Sequence, residues 1–258
     1  MNAIIESPVQ PGQLGIRWLG QNSFVFKTAS GKLIGLDLYL SRTRPLENYV
    51  HPTPPISPEE IVVDYAFFTH DHADHADPDT LVPISEHVPE ARFLGTPEGC
   101  AHMVEAGIPS DRVTALPPGE EVRIDDFSVQ ATYSWRPSPS EGITTHYGYL
   151  FRFEGLTLYN MGDSSPDMVN DPETFLREVI EAKPDIAIFP VIGDHGGRRP
   201  SDALVFARAI RPRVVIPAHY ECFRSRTIHP EEFTRLFSPD EEFKPLVLPY
   251  NEPVVYPA

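Results

Sequence analysis

Seven consecutive residues, Thr69-His70-Asp71-His72-Ala73-Asp74-His75, hold three histidines and two aspartates. On an α-helix, His70 and His72 would stand roughly 200° apart, on opposite sides. A loop leaving the apolar run Tyr65 to Phe68 instead lets these side chains converge on one point. Neutral imidazoles and carboxylates are the ligands that borderline divalent cations such as zinc prefer. A cation held in this way lowers the pKa of a bound water and polarises a carbonyl or phosphoryl oxygen, so no serine or cysteine nucleophile is required.

Further chemistry-bearing residues stand at the ends of other apolar runs. Asp37 follows Leu33 to Leu36, Asp163 follows Leu156 to Met161 and a glycine, and His219 follows Val214 to Ala218. Taken singly, each has a plainer role: a turn residue for Asp163, a cap or turn residue for Asp37, a hydrogen-bonded strand-end histidine for His219. The loop Gly193 to Asp202 joins flexible glycines to His195 and to Arg198-Arg199, whose fork-shaped donors suit carboxylate or phosphate. It also reads as a solvated turn, with Ser201 or Asp202 capping the helix that follows. His51, His87, His102 and His229 have no motif around them and read as structural or surface residues.

The elements that must position these groups are legible from periodicity and turn residues. Strands are expected at 16–19, 23–27 and 33–38, separated by Gly20 and by Ser30-Gly31. The run 65–69 suits a strand buried on both faces. Helices are expected at 78–87 and 97–106, each with proline at its start, where the missing N–H costs nothing. Strands at 122–124 and 127–134 precede a hairpin of 147–153 and 156–160 that turns on Glu154-Gly155. A helix at 172–182, a strand at 186–191, a helix at 201–209 and a strand at 214–217 close the series. Strand-rich halves with alternating helices predict a layered α/β sandwich in one domain spanning 1–258, with its chemistry at the C-terminal ends of strands.

Composition narrows the class. Of 258 residues, 41% are hydrophobic, enough for a sizeable core, and no run approaches the roughly 20 apolar residues that span a bilayer. Residues 1–13 lack a basic segment followed by an apolar run, so a cytoplasmic location is expected. The two cysteines, Cys100 and Cys222, exclude a disulfide framework and read as buried thiols. A net charge of −16 argues against nucleic acid or anionic membrane as a partner. It leaves room for a small anionic substrate where cationic side chains cluster.

The motif His70-x-His72-x-Asp74-His75 matches the metallo-β-lactamase superfamily in full, and the resemblance extends over 15–221 through Asp37, Gly162-Asp163 and Pro217-Ala218-His219. Within that superfamily the chain is most similar to the L-ascorbate-6-phosphate lactonase-like group, on Thr69 to His75, Tyr149-Leu150-Phe151, Gly162-Asp163-Ser164 and Val215-Ile216-Pro217. The resemblance implies an αββα four-layer sandwich. It implies that His70 and His72 bind one cation, that Asp74, His75 and His219 bind another, that Asp163 bridges the two, and that Asp37 supports the site from behind. One or two divalent ions per chain follow, zinc or manganese, with iron a third option.

One departure stands out. The superfamily supplies a further histidine before the Gly-Asp strand, whereas this chain reads Ala131-Thr132-Tyr133-Ser134-Trp135-Arg136. The nearby His146 is open to three roles: replacing that ligand, contacting substrate, or flanking the hairpin. A substrate or proton-transfer role is slightly preferred, because family ligands more often follow a strand than precede one. Asp74, Asp163 and His146 are the catalytic candidates, and Arg198, Arg199, His195 and Tyr147 the substrate-binding ones. The expected function is hydrolysis, by metal-bound hydroxide, of a lactone or ester in a small, sugar-like substrate, with or without a phosphate. A phosphodiesterase or nuclease and a non-enzymatic metal-binding module are the competing readings. A homo-oligomer is compatible with all three.

Overall fold

A computed structural model describes residues 2–193 and 195–257. Among the described residues, fourteen strands form two sheets of seven. The first sheet contains β1 (Leu14–Trp18), β2 (Phe24–Lys27), β3 (Leu33–Leu36), β4 (Tyr65–Phe68), β5 (Arg92–Gly95), β6 (Val113–Ala115) and, beside β1, β14 (Pro253–Tyr256). The second runs from β7 (Glu121–Ile124) through β8 (Phe127–Trp135), β9 (His146–Phe153), β10 (Leu156–Asn160), β11 (Ile186–Pro190) and β12 (Val214–Ala218) to β13 (Lys244–Pro245). In each sheet an antiparallel part continues into a parallel part, β3 to β6 and β10 to β13.

The central parallel strands β4 and β11 are buried on both faces, as their unbroken apolar runs require. Between the sheets, Phe24, Phe26, Leu36 and Phe67 pack in one cluster with Phe127, Tyr149, Phe151 and Leu158. The outer face of the first sheet, with Val25, Ala66, Phe68 and Phe93, is covered by α2 (Pro78–His87) and α3 (Pro97–Glu105) through Leu81, Ile84 and Met103. Phe206 and Ala207 of α6 (Pro200–Ile210) pack with the second sheet, Phe206 meeting Phe189 at 5.8 Å between ring centroids. The result is the expected α/β sandwich of helix, sheet, sheet and helix layers.

Boundaries differ locally. The expected helix at 172–182 is two short ones, Pro172–Phe175 and Arg177–Ala182, because Leu176 leaves helical backbone angles and buries its side chain. Strand β3 ends at Leu36 rather than residue 38, since Asp37 takes a left-handed φ of 45°. Strands β5, β6 and β14 carry no strong periodic signal, being three or four residues long. No described helix is long and apolar enough to cross a membrane.

Candidate metal centre

The site lies at the C-terminal ends of β3, β4, β10 and β12. After β4 the chain curls back, with the His75 and Ala76 N–H groups both donating to the His72 carbonyl at 2.9 Å. That curl brings His70 Nε2 to 2.8 Å from His72 Nδ1. Behind the loop stands Asp37, fully buried. Its carboxylate accepts the Thr69 N–H and the Thr69 hydroxyl, each at 2.7 Å, and the Asn22 amide at 2.7 Å. It also lies 2.6 Å from His75 Nδ1. That contact turns His75 Nε2 toward the site, the orienting role of an outer carboxylate behind a ligand histidine. Asn22 and Asn160 exchange amide hydrogen bonds at 3.0 and 3.1 Å, tying the β1–β2 turn to the end of β10.

Asp163 follows Gly162, which no other residue could replace without strain. Gly162 has φ 61°, and a Cβ there would lie 2.9 Å from both the Thr69 side chain and the Tyr147 carbonyl. The Asp163 carboxylate faces His219 Nε2 at 3.0 Å and lies 3.9 Å from both His70 Nε2 and His75 Nε2. Three groups place their ligand atoms within 4.8 Å of one another: His70, His72 and His146; His70, His75 and Asp163; Asp74, His75 and His219. His146 thus stands with the two histidines of the first group, and not beside the hairpin alone. It begins β9 directly opposite Trp135, the last residue of β8, and its ring stacks on His70 at 4.0 Å. The two strands are antiparallel, so the start of β9 and the end of β8 occupy the same edge of the sheet.

Electrostatics and hydrogen bonding suit these groups to a cation. Burial pushes His146 down to about 4, and its Nδ1 lies 2.9 Å from the Thr144 carbonyl, which leaves a neutral ring with its Nε2 lone pair inward. Burial, then the charge of His75, holds His70 well below the ordinary histidine value, and the same two causes lower His72. Burial also disfavours the His75 imidazolium, but the Asp37 carboxylate outweighs it and pushes the group up to about 9. For Asp163 burial opposes ionisation, yet His219 and Arg198 hold its carboxyl well below the usual range. Asp74 is likewise lowered against burial, by His75 and His219. His146 Nε2 is buried with no hydrogen-bond partner among the described residues, and Asp163 Oδ1, equally buried, has only imidazoles beside it, His219 Nε2 nearest at 3.0 Å. Buried polar atoms in native proteins are rarely left so, and neutral imidazoles with an ionised carboxylate are a fitting donor set for zinc or a similar divalent ion.

The proposed substrate-binding residues separate. Arg198 Nη1 donates to Asp163 Oδ2 at 2.6 Å, and its guanidinium lies 6.0 Å from the Trp135 ring centre. Arg199 lines a different cleft, with Pro200, Glu232 and Arg235. His195 borders a cleft of about 380 Å³ with Ile192, Gly193, Ser225 and Thr227, while Asp194 lies outside the described residues. Tyr147 is buried, and its hydroxyl donates to the Leu116 carbonyl at 3.2 Å, so the structure turns it into the core and away from the site. Asp202 caps α6 by accepting the Arg199 N–H at 3.1 Å, as its position suggests. Gln21, Asn22, Asn160 and Trp135 also border the site, although no motif marks them. Only Gly20-Gln21-Asn22, a polar turn after an apolar strand, carried a signal that could have drawn attention.

The chain matches the family described as "Beta-lactamase superfamily domain" over residues 15–219. It is 28% identical over 242 residues to a UPF0173 metal-dependent hydrolase of Staphylothermus marinus, covering 94% of this chain and 99% of that one. A UPF0173 metal-dependent hydrolase of Pyrobaculum calidifontis is 27% identical over 226 residues, covering 84% and 89%. Among solved structures, the metallo hydrolase Igni18 of Ignicoccus hospitalis superposes with a TM-score of 0.68 at 21% identity, over 95% of this chain and 98% of that one. An isothiocyanate hydrolase from Delia radicum gut bacteria does so with a TM-score of 0.69 at 18% identity, over 93% and 98%. These two likenesses speak to the fold; the family match, the metallo-hydrolase relatives and the buried donor cluster together place the chain in the metallo-β-lactamase superfamily, as a metal-dependent hydrolase.

Proposed function

We propose that the protein hydrolyses a lactone or carboxylic ester of a small, sugar-like substrate, with or without a phosphate. The observation that carries the hydrolytic part is the convergence of His70, His72, His146, Asp74, His75, His219 and Asp163 on one site that is buried except at His72 and Asp74. His70, His72 and His146 would hold one divalent cation, and Asp74, His75 and His219 a second, with Asp163 between them. When bound, such ions supply a water acidified toward neutral pH and a Lewis acid for the developing oxyanion. Zinc is the default from the donor types, with manganese as the alternative.

The chain's own residues do the rest. Asp37 fixes the His75 ring, and Thr144 fixes that of His146. Arg198 orients Asp163 from the Trp135 side and offers its remaining N–H groups to a substrate oxyanion or phosphate. The cleft beside His195, on the loop that carries Arg198, would receive the rest of the substrate. A small molecule fits better than nucleic acid, which a net charge of −16 would repel.

The test is a substrate panel assayed with zinc, manganese or iron: lactones with and without a phosphate, carboxylic esters, thioesters, phosphodiesters and an isothiocyanate. Lactones or esters should turn over fastest, with loss of activity in chelator. Turnover confined to phosphodiesters would replace this reading with the nuclease-type one, and full activity in chelator would end both.

A further inference from the structure

Gln21 belongs to no motif, yet its carboxamide stands at the centre of one ligand group. The Nε2 end lies 3.2 Å from Asp74 Oδ2, 3.0 Å from His75 Nε2 and 3.1 Å from His219 Nε2, and those two nitrogens are 3.1 Å apart. The Asp74 carboxylate stands farther from those two nitrogens, within 4.8 Å of both, so the amide lies among the three ligand groups. An NH₂ group has two hydrogens and cannot serve three acceptors at once. A cation held among these groups serves them all, and a half-turn of the amide, which would release the Asn22 N–H that Oε1 now accepts, turns that oxygen toward it as a donor.

The backbone holds Gln21 there. Its carbonyl accepts the His219 N–H at 2.8 Å and the Trp18 indole N–H at 2.9 Å, and its own N–H donates to the Tyr220 carbonyl at 2.8 Å. The residue has a left-handed φ of 52° and is 1% exposed. The two cation positions therefore differ in access. Gln21, His75 and His219 are buried around one, whereas His72 on the other side is exposed.

We propose that Gln21 closes the position formed by Asp74, His75 and His219, its carboxamide oxygen acting as a further protein donor. Closed sites hold an ion for structure or charge, while catalytic sites keep a coordination place free. The free place, and with it the substrate, then belongs to the side of His70, His72 and His146. This rests on the metal-dependent hydrolase reading and adds to it an unequal division of labour between the two positions.

The test is cobalt and zinc titration of the wild type and of Gln21→Leu, Gln21→Asn and Gln21→Glu, with chelator competition for affinity and visible absorption for cobalt geometry. Leucine fills part of the same space but is one bond shorter and has no donor. Asparagine is too short to reach, tolerates a left-handed φ well, and carries the test if the leucine variant fails to fold. Both should weaken one of the two ions by at least about tenfold, the lower bound for loss of a supporting group. The absorption of that ion should change and the other ion be left alone, while glutamate keeps tight binding. Unchanged or tighter binding of both ions in the leucine and asparagine variants would overturn the proposal and make Gln21 a bystander or an obstruction. A wild type that binds no transition metal would remove the hydrolase reading itself, and the wild-type titration alone separates that result from failure at Gln21.

Discussion

Arg198 Nη1 sits 2.6 Å from Asp163 Oδ2, an ion pair in which Asp163 is buried and Arg198, beside the Trp135 ring, is half-buried. Arg199, its neighbour in sequence, lines another cleft. Single substitutions should therefore diverge. Arg198→Met removes the orienting partner of Asp163, costs about 1–3 kcal/mol of stability by leaving a buried charge less compensated, and lowers kcat. Arg199→Met should leave kcat within about twofold, since 0.4 kcal/mol is already a factor of two. Equal loss of kcat in both variants would show that the loop, and not the Arg198–Asp163 pair, is what matters.

Asp163→Asn keeps the shape but removes the charge that faces His219, His70 and His75. The variant should fold, lose at least one ion per chain and lose about 100-fold or more in kcat, because a bridging carboxylate sets the spacing of a two-metal site. Elemental analysis beside circular dichroism checks this. Wild-type metal content with wild-type turnover would return Asp163 to a turn residue.

His146→Ala is expected to lower metal affinity at the His70–His72 position by at least about 10–100-fold, the range for weaker outer contacts. The ring stacks on His70, and its buried Nε2 has no protein partner among the described residues. Full metal occupancy together with a depressed kcat would favour the substrate or proton-transfer role.

Cation binding should release a proton from His75. Asp37 holds that group up to about 9, so near pH 7 its ring carries a proton that a metal must displace. Affinity should rise with pH up to about 9 and then level. Calorimetry in two buffers of different ionisation enthalpy counts the protons. In Asp37→Asn the raised pKa disappears and the pH slope should flatten near neutrality, although the ring is held less firmly. An unchanged slope would show that His75 is already neutral.

Burial pushes the thiols of Cys100 and Cys222 up to about 12. Both should resist a disulfide labelling reagent at pH 8 in native protein and react together on unfolding, since the thiolate is the nucleophile. Rapid labelling of either in the native state would contradict its burial.

The donors His70, His72, Asp74 and His75 were legible because they crowd one short loop after an apolar strand, and a loop that dense in ligand types has few other uses. The two-sheet fold was legible for a similar reason: buried strands and proline-started helices such as 78–87 announce themselves within a dozen residues. His146 was not assignable, because a residue that begins a strand looks unlike a ligand that ends one. Only the antiparallel pairing of β8 with β9 shows that Trp135 and His146 share one sheet edge. Tyr147 looked like a neighbour of the site until strand alternation turned its hydroxyl to Leu116. Gln21 lies 53 residues from Asp74 and 198 from His219, and no local pattern connects them. The sequence alone determined which residue types gather and what chemistry they favour, since ligand identity and periodicity are local properties. Tertiary structure decided which of those residues meet, because contact across sheets depends on register and backbone angle, and a shift of one residue reverses the face on which a side chain stands.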